Sequence, residues 1–405
     1  MRLSTTQITS AGVRELLMRQ ADVQKTQLQL ASQKRVITPS DDPVAATSIS
    51  YLQAEIAQLQ QFNLNGNFAK SNNELEETVL DSTTQVLFRV KELLVSLGNG
   101  AYGVDEFNAI KIELEERLKE LQGLANTQNS NGDYIFSGSK VKAQPILQDS
   151  AGNFIYNGDQ DQRMLRISSG VVIPISDSGF EIFVDVKNGN GKFITSSNPV
   201  NAGNGVIAGG SYQGPPQFMA EPYSIDFALN LAGDLEYTVT GVTSGTVVAG
   251  PTVYQDPSDI EFNGVQVRIS GTPETGDSFT VTPSQSQDLF TTIQNILDAI
   301  DNYDDSSAGR AQLTNIVGAQ QNTLDKHMIN IDMVRSRIGS RLNVGDSEYA
   351  TNLSLLVTSR TALSDVQDLD MVEASTRFSQ QLVVLEAAQA SFVRVQGLNL
   401  FNFLR

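Results

Sequence analysis

The chain of 405 residues contains no cysteine, no tryptophan and a single histidine. The missing cysteines exclude disulfides, thiolate metal sites and a cysteine nucleophile, and one histidine leaves little from which to build a His-Asp-Ser relay or a multi-histidine metal site. Basic residues are also scarce, since 28 Lys and Arg stand against 46 Asp and Glu and give a net charge of −18. Because nucleic-acid binding needs a basic stripe, we expect no nucleic-acid partner.

Long apolar runs are missing as well. The N-terminal stretch lacks the apolar core of a secretory signal, and no segment approaches the ~18 consecutive apolar residues of a membrane span. We therefore expect no membrane insertion, and export, if it occurs, by a route that uses no cleaved signal. The composition, with 40% hydrophobic and 18% charged residues, is that of a globular protein.

Glycine and proline concentrate in one part of the chain. Residues 151–285 hold 18 of the 31 Gly and 9 of the 12 Pro. Short apolar runs alternate there with turn signals such as Asn263-Gly264, which is typical of antiparallel hairpins. We therefore expect an antiparallel β domain with few helices. The expected strands include Phe154–Tyr156, Val171–Ile173, Phe180–Val184, Tyr237–Val239, Val265–Ile269 and Phe279–Val281.

The two flanks of this segment have the pattern of long helices. They are nearly free of Gly and Pro and carry apolar residues at helical spacing, which gives each helix one apolar seam suited to packing against another helix. The seam near the N-terminus comprises Leu16, Val23, Leu30 and Ile37. The seam near the C-terminus comprises Phe378, Leu382, Leu385, Phe392, Leu400, Phe401, Phe403 and Leu404.

The predicted fold is therefore α+β, a discontinuous coiled-coil rod of long helices from both chain ends with the β domain inserted between its halves. In chain order we expect an N-terminal assembly helix, the first half of the rod with a β-hairpin, the β domain, the second half of the rod and a C-terminal assembly helix. Their expected bounds are 1–40, 41–150, 151–285, 286–368 and 369–405.

The two assembly helices would lie together, with no other part of the chain left to cover their apolar seams. Since isolated helices draw most of their stability from packing, we expect both ends to be largely disordered in the monomer and to fold when the seams meet neighbouring molecules. The seam residues are therefore candidate assembly contacts.

A short proline-flanked motif separates the first helix from the next. It consists of Thr38, Pro39, Ser40, Asp41, Asp42 and Pro43. Pro39 disfavours helix at Thr38, whereas Asp42 can cap a new helix with Pro43 in its first turn, where a missing N–H costs nothing. The motif therefore predicts a stop and a restart of the helix.

The segment Arg35–Ala46, which contains this motif, resembles the N-terminal signature of the bacterial flagellin family, in the proline-flanked form of its hook–filament junction members. Further segments are similar to the same family. They are Leu124–Gln128 with Gly132–Gly138, Tyr156–Asp159 with Ile167–Val171, and Ser364–Leu404. The resemblance covers most of residues 1–175 and 285–405 and says little about 176–284.

This resemblance implies a structural protein and not an enzyme. It implies unfolded export through the flagellar type III apparatus, self-association in a ring, and a secreted location between hook and filament. The implied partners are another hook-associated protein on the hook side, flagellin on the filament side and an export chaperone. No cofactor is implied. The alternative is flagellin itself, the filament subunit, against which Pro39 and Pro43 argue.

Isolated motifs of catalytic or metal-binding type have simpler interpretations. His327 lacks partner ligands and is expected to be structural, and Ser137 with Lys140 lacks the companion motifs of Ser-x-x-Lys enzymes. A glycan or peptide hydrolase built on paired carboxylates, such as Asp159 with Asp161 or Asp256 with Asp259, is a weaker alternative because sequence proximity is not active-site geometry. Three further groups are expected to form turns, loops or caps. They are Gly189–Lys192, the loop acids Asp301, Asp304 and Asp305, and Asp365, Asp368 and Asp370.

Overall fold

A computed structural model describes residues 5–98, 102–150, 152–214 and 221–397. Long helices occupy both ends and flank a central region rich in strands. The helices are α1 (Thr5–Ser32), α2 (Pro43–Leu97), α3 (Val104–Ala125), α4 (Leu289–Asp301), α5 (Ser307–Gln367) and α6 (Met371–Gly397). The predicted α+β class, with helices from both chain ends and an insertion of strands, is confirmed.

The strands are short, and they pair in an antiparallel manner throughout the described residues. In chain order they are β1 (Ile146–Gln148), β2 (Phe154–Tyr156), β3 (Met164–Arg166), β4 (Val172–Pro174), β5 (Val186–Lys187), β6 (Phe193–Ser197), β7 (Val206–Ile207), β8 (Ser211–Tyr212), β9 (Tyr223–Leu229), β10 (Leu235–Gly241), β11 (Val247–Val253), β12 (Ser258–Phe262), β13 (Val265–Ser270), β14 (Ser278–Pro283) and β15 (Ser286–Gln287).

The chain divides into two compact units. The terminal unit consists of Met1–Leu64 and Ser347–Arg405, and the central unit of Asn65–Asp346. These bounds fall within α2 and α5, whereas the divisions expected at 40/41 and 368/369 fall in the loops beside α1 and α6. The functional domain bounds stay a prediction.

Helices form the first core of the central unit. Buried leucines recur every seven residues on α2 at Leu80, Leu87 and Leu94, and α5 repeats the spacing at Leu324, Ile331 and Ile338. This is the periodicity of coiled-coil packing. Two ion pairs show the relative direction of these helices, since Lys91 pairs with Asp325 at 2.6 Å and Lys70 with Asp346 at 2.8 Å. In the central unit, α2 and α5 therefore run antiparallel.

A second core lies within the β strands. One sheet has the order β11-β10-β9-β14-β6, and β13 pairs with β12, β7 and β8 in another. Along β13, Val265, Val267 and Ile269 are buried while the residues between them face outward, as expected for strands with one wet face. Asn263 and Gly264 take φ of 45° and 80° and form the predicted two-residue turn between β12 and β13.

The buried core of these sheets begins at Phe193 and ends at Val281. Residues before it belong with the helices, because Ile146, Ile182 and Phe183 join the helical core and Phe154 packs against it. The Phe154 ring stacks on Phe290 of α4 with centroids 5.1 Å apart. The two sheets share this one core and together form the inserted β sandwich. The β sandwich is thus shorter than the Gly- and Pro-rich segment 151–285.

One expected strand is wrong. Phe180–Val184 forms a single turn of π-helix and not a strand. Its Phe183 ring meets Phe136 and Phe290, at centroid distances of 5.2 and 6.1 Å, inside the helical core. A short apolar run without alternation fits a buried helical turn as well as a strand, so periodicity alone could not separate the two.

His327 lies on α5 and is completely buried. Burial lowers the pKa of its imidazole to about 3, against a smaller opposing effect of the nearby Gln287 backbone. The ring is therefore neutral in the folded protein over most of the acid range, whereas an unfolded chain protonates it near pH 6.5. The stability that His327 contributes is present above that value and is lost as the pH falls towards the folded pKa.

We predict that His327→Leu, which keeps an apolar side chain of similar size, weakens the acid sensitivity of folding. Between pH 7 and about pH 4.5 the native chain should lose about 2.5 kcal/mol more unfolding free energy than the variant, at ~1.4 kcal/mol per pH unit below the unfolded pKa. Urea unfolding of both proteins at the two pH values measures this difference. Equal losses in both proteins would show that His327 is not the acid-sensitive group.

Candidate assembly interface

The terminal helices α1 and α6 pack against each other in opposite directions. At one end of the pair, Gly12 of α1 lies against the ring of Phe392, and a Cβ at Gly12 would come within 2.7 Å of that ring. At the other end, the residues after α1 meet the residues before α6. Glycine at position 12 therefore permits a close approach of the two helices.

A short backbone bridge, formed by residues 33–35 and 367–369, fastens the two chain ends together. The Arg35 N–H donates to the Gln367 carbonyl at 2.8 Å, and the Leu369 N–H donates to the Gln33 carbonyl at 3.1 Å. The Arg35 guanidinium adds a bond to the Val366 carbonyl at 2.9 Å. These contacts join parts of the chain more than 300 residues apart.

Side chains reinforce this bridge from inside. The buried Gln29 amide donates to the Arg35 carbonyl at 2.7 Å. Next to it, Val36 packs in a small buried cluster with Ala45 and Ile49 of α2 and with Leu363 and Val366 of α5. The bridge thus combines a hydrophobic cluster with satisfied backbone groups.

The helix-restart motif forms the turn beside this bridge. The Asp41 carboxylate accepts the Ile37 and Thr38 N–H groups at 3.2 and 2.9 Å, and the Lys25 ammonium of α1 lies 2.9 Å away. The Lys25 hydrogen bond, followed by that from Thr38, holds the pKa of Asp41 far below its usual range. Asp41 therefore ties α1 to the turn that ends it.

Asp42 performs the capping role expected from the sequence. Its carboxylate accepts the Ala45 N–H at 3.0 Å, and α2 begins at Pro43. The Ala45 hydrogen bond is the main reason why the pKa of Asp42 is lowered. Thr38 and Ser40 share a hydroxyl hydrogen bond of 2.8 Å within the turn, which also contains Pro39. The roles of Lys25 and Arg35 were missed, because a partner 16 or 331 residues away leaves no local signal.

The predicted seam residues divide into four groups. Val23 is buried, and Leu16, Leu30, Phe378, Leu385 and Phe392 are half-buried. Ile37 and Leu382 are exposed, at 40% and 43%. Leu400, Phe401, Phe403 and Leu404 lie outside the described residues. Part of the predicted seam thus packs within the α1–α6 pair. Thr26 is also buried, and it was not predicted because the seam was defined by apolar residues and threonine is polar.

Several apolar side chains of α1 and α6, including Leu382 of the predicted seam, remain in water. We call this set the terminal apolar surface, and it comprises Val13, Leu17, Met18, Leu28, Val372, Leu382, Val383, Val384, Val393 and Val395. Leu382, Val383 and Val384 are consecutive and span about 200° of the helix circumference. One partner helix cannot cover such an arc, which leaves apolar area for a further partner.

The motifs of catalytic type occupy structural positions. The Ser137 hydroxyl donates to the Tyr134 carbonyl at 3.0 Å. Lys111 binds Asp301, Asp304 accepts the Ser306 N–H at 2.8 Å, and Asp305 is paired with Arg310. No group of three or more metal-ligating side chains comes together in the described residues. In the same residues, no helix combines the length and apolar character needed to cross a bilayer.

Comparisons with known proteins agree with this geometry. Residues 3–141 match the bacterial flagellin N-terminal helical region, and residues 196–283 match the D2-like domain of flagellar hook-associated protein 1. Flagellar hook-associated protein 3 of Salmonella typhimurium is 33% identical over 183 residues, which are 45% of this chain and 57% of that protein. The match thus spans little more than half of that curated relative.

Solved structures align over more of the chain. Flagellar hook-associated protein 3 of Legionella pneumophila superposes with a TM-score of 0.76 at 30% identity, covering 78% of this chain and 98% of that one. FlgL of Xanthomonas campestris superposes with a TM-score of 0.72 at 28% identity, covering 77% and 99%.

Paired helices from both chain ends and an inserted antiparallel sandwich define a flagellin-like structural protein. With 30% identity over nearly the whole Legionella protein, the chain belongs to the flagellar hook-associated protein 3 family.

We predict that Asp41→Ala loosens the turn between α1 and α2. Loss of a carboxylate that accepts two backbone N–H groups costs about 1 kcal/mol, so trypsin should cleave after Lys34 or Arg35 about fivefold faster. Limited proteolysis with mass spectrometry of the fragments measures the rate. The matched control is Asp365→Ala, which removes an exposed carboxylate from α5 of the same unit. Trypsin should cleave this variant at the native rate. Equal rates in the two variants would contradict the role of Asp41.

Proposed function

We propose that this protein is a structural adaptor that joins the bacterial flagellar hook to the filament. The observation that carries the proposal is the terminal apolar surface, which the α1–α6 pair leaves in water. Membership of the hook-associated protein 3 family supports the location, a secreted protein of the flagellum. Large exposed apolar areas of soluble proteins mark interaction sites.

Assembly through this surface is favourable because each Leu or Val that becomes buried contributes about 1.5–3 kcal/mol. Ordering the terminal helices opposes part of this gain. The contact would be heterologous, one face of a subunit against a different face of the next, so that contacts continue around and along a tube. Assembly would then depend on a neighbour already in place, as an adaptor between two structures requires.

The proposed partners follow from the same position. Copies of this chain would associate in a ring, with another hook-associated protein on the hook side and flagellin on the filament side. The likeness of residues 196–283 to a domain of hook-associated protein 1 supports a common origin with such a partner. Before export in unfolded form by the type III apparatus, a chaperone would bind the C-terminal helix.

The second candidate is flagellin itself, because flagellins share the N-terminal helical region. The prolines at positions 39 and 43 and the likeness to solved hook-associated protein 3 structures favour the junction. Antibody labelling of intact flagella separates the two candidates. One band at the base of the filament supports the adaptor, and labelling along the whole filament supports flagellin.

A catalytic function is not part of the proposal. The carboxylates suggested for a hydrolase bind within the protein, since Asp159 accepts the Ser139 N–H at 2.7 Å and Asp256 accepts the Gly271 N–H at 2.8 Å. Asp259 binds the Arg268 guanidinium at 2.6 Å. These contacts are those of turns and strand pairs, and the relatives of known structure are flagellar structural proteins.

We predict that Leu17→Glu combined with Val383→Glu abolishes junction formation and leaves the fold intact. Both side chains are more than half exposed, so the charges cost little in the free chain, but they would be buried unpaired in the assembly. Motility of a strain carrying the variant, and electron microscopy of its hooks, measure the effect.

The matched control for this double variant is Gln24→Glu with Gln389→Glu. It adds the same charges at exposed polar positions of the same two helices and should keep filament growth. Normal filaments in cells that carry the Leu17 and Val383 variant would show that the terminal apolar surface is not the contact.

A further inference from the structure

Two acidic side chains are completely buried next to each other in the central unit. Glu76 lies on α2, and Asp177 lies in the segment between β4 and the π-helical turn. The Asp177 N–H donates to both oxygens of the Glu76 carboxyl group, at 3.1 and 3.3 Å. Ser176 and Ser178, on either side, are also buried. The segment 176–178 is therefore held against α2 through Glu76.

The positive charge at this site does not balance two carboxylates. From α5, the Arg341 guanidinium binds Asp177 Oδ1 at 2.7 Å, and the Gln162 amide donates to the same oxygen at 2.6 Å. Arg337, the other cation of α5 that acts on Glu76, is committed to the exposed Glu181 at 2.6 Å. One guanidinium, whose side chain is 12% exposed, thus faces two buried acids.

The second carboxylate oxygen of Asp177 lacks a hydrogen-bond donor in the described part of the chain. Asp177 Oδ2 is buried and accepts no hydrogen bond from any of the described residues. A carboxyl group that keeps its proton is a donor, whereas an ionised one only accepts. Burial first, and then the charge of Asp177, raise the pKa of Glu76 well above its ordinary value. A proton on Glu76 would lower the excess negative charge and would give this pair of carboxyl groups a hydrogen-bond donor.

We propose that Glu76 keeps its proton in the folded protein at neutral pH, and that this proton fastens segment 176–178 across α2 and α5 as a clasp that opens in alkaline solution. Loss of the proton would place two negative charges in a site with one guanidinium, and their repulsion would expel the segment. The segment leads through the π-helical turn towards the β sandwich, so its release would loosen that connection. This proposal does not rest on the adaptor function.

The sign of the pH dependence follows from the raised pKa. An unfolded chain ionises Glu76 near pH 4.5, whereas the folded chain holds the proton to higher pH. The stability from Glu76 is fully present below the unfolded value and is lost as the pH rises through the folded one. Over that interval this one group should raise the unfolding equilibrium constant about tenfold per pH unit.

Urea unfolding of the full chain in steps from about pH 5 to pH 9 tests the proposal. Glu76→Gln keeps the shape of the side chain and a donor but cannot ionise, so the loss of stability that the native chain shows between about pH 5 and pH 8 should disappear. Glu74→Gln, at an exposed carboxylate two residues earlier on α2, is the matched control and should retain the native profile. Identical profiles for the native chain and Glu76→Gln would overturn the proposal.

A local measurement makes the test independent of global stability. Chymotrypsin cleavage after Phe180 should accelerate at alkaline pH in the native chain and in Glu74→Gln, but not in Glu76→Gln, with rates corrected for the pH dependence of the protease on an unfolded peptide. Asp177→Asn removes the neighbouring charge, so its acceleration should become smaller. Native cleavage that does not change with pH would exclude the clasp.

Discussion

The two backbone hydrogen bonds between residues 33–35 and 367–369 are the constraint on which the terminal unit depends. They bring residues near the two ends of the chain together, and α1 and α6 then pair because helices in proteins draw most of their stability from tertiary packing. A pair of helices can bury only the faces that meet. The remaining apolar side chains, Leu17 and Val383 among them, stay in water until another molecule covers them.

The two units are stabilised by different means. The terminal unit has small buried clusters around Val36 and Leu59, together with polar contacts such as that of Asp41 with Lys25. The central unit contains two large cores, one of helices and one of strands. Its buried Glu76 and His327 shift stability with pH in opposite directions, so their combined effect favours mildly acidic to neutral solution.

Local sequence features were sufficient to predict the α+β fold class, the insertion of a β domain between the helices and the start of α2. Glycine and proline distribution separates helices from strands, and Asp42 with Pro43 defines a cap within three residues. The π-helical turn at Phe180–Val184 was missed because tertiary packing decided its conformation. The pairs of Glu76 with Asp177 and of Arg35 with Val366 were missed because residues 101 and 331 positions apart carry no shared pattern.

The central claim is that the terminal helices are completed by neighbouring molecules, and amide hydrogen exchange tests it most directly. Exchange is compared between the isolated full-length chain and the same chain assembled on hooks. Weak protection of α1 and α6 in the isolated chain, rising strongly on assembly while the core of the central unit stays unchanged, is the predicted result. Strong protection of both helices in the isolated chain, with no further gain on assembly, would contradict the account.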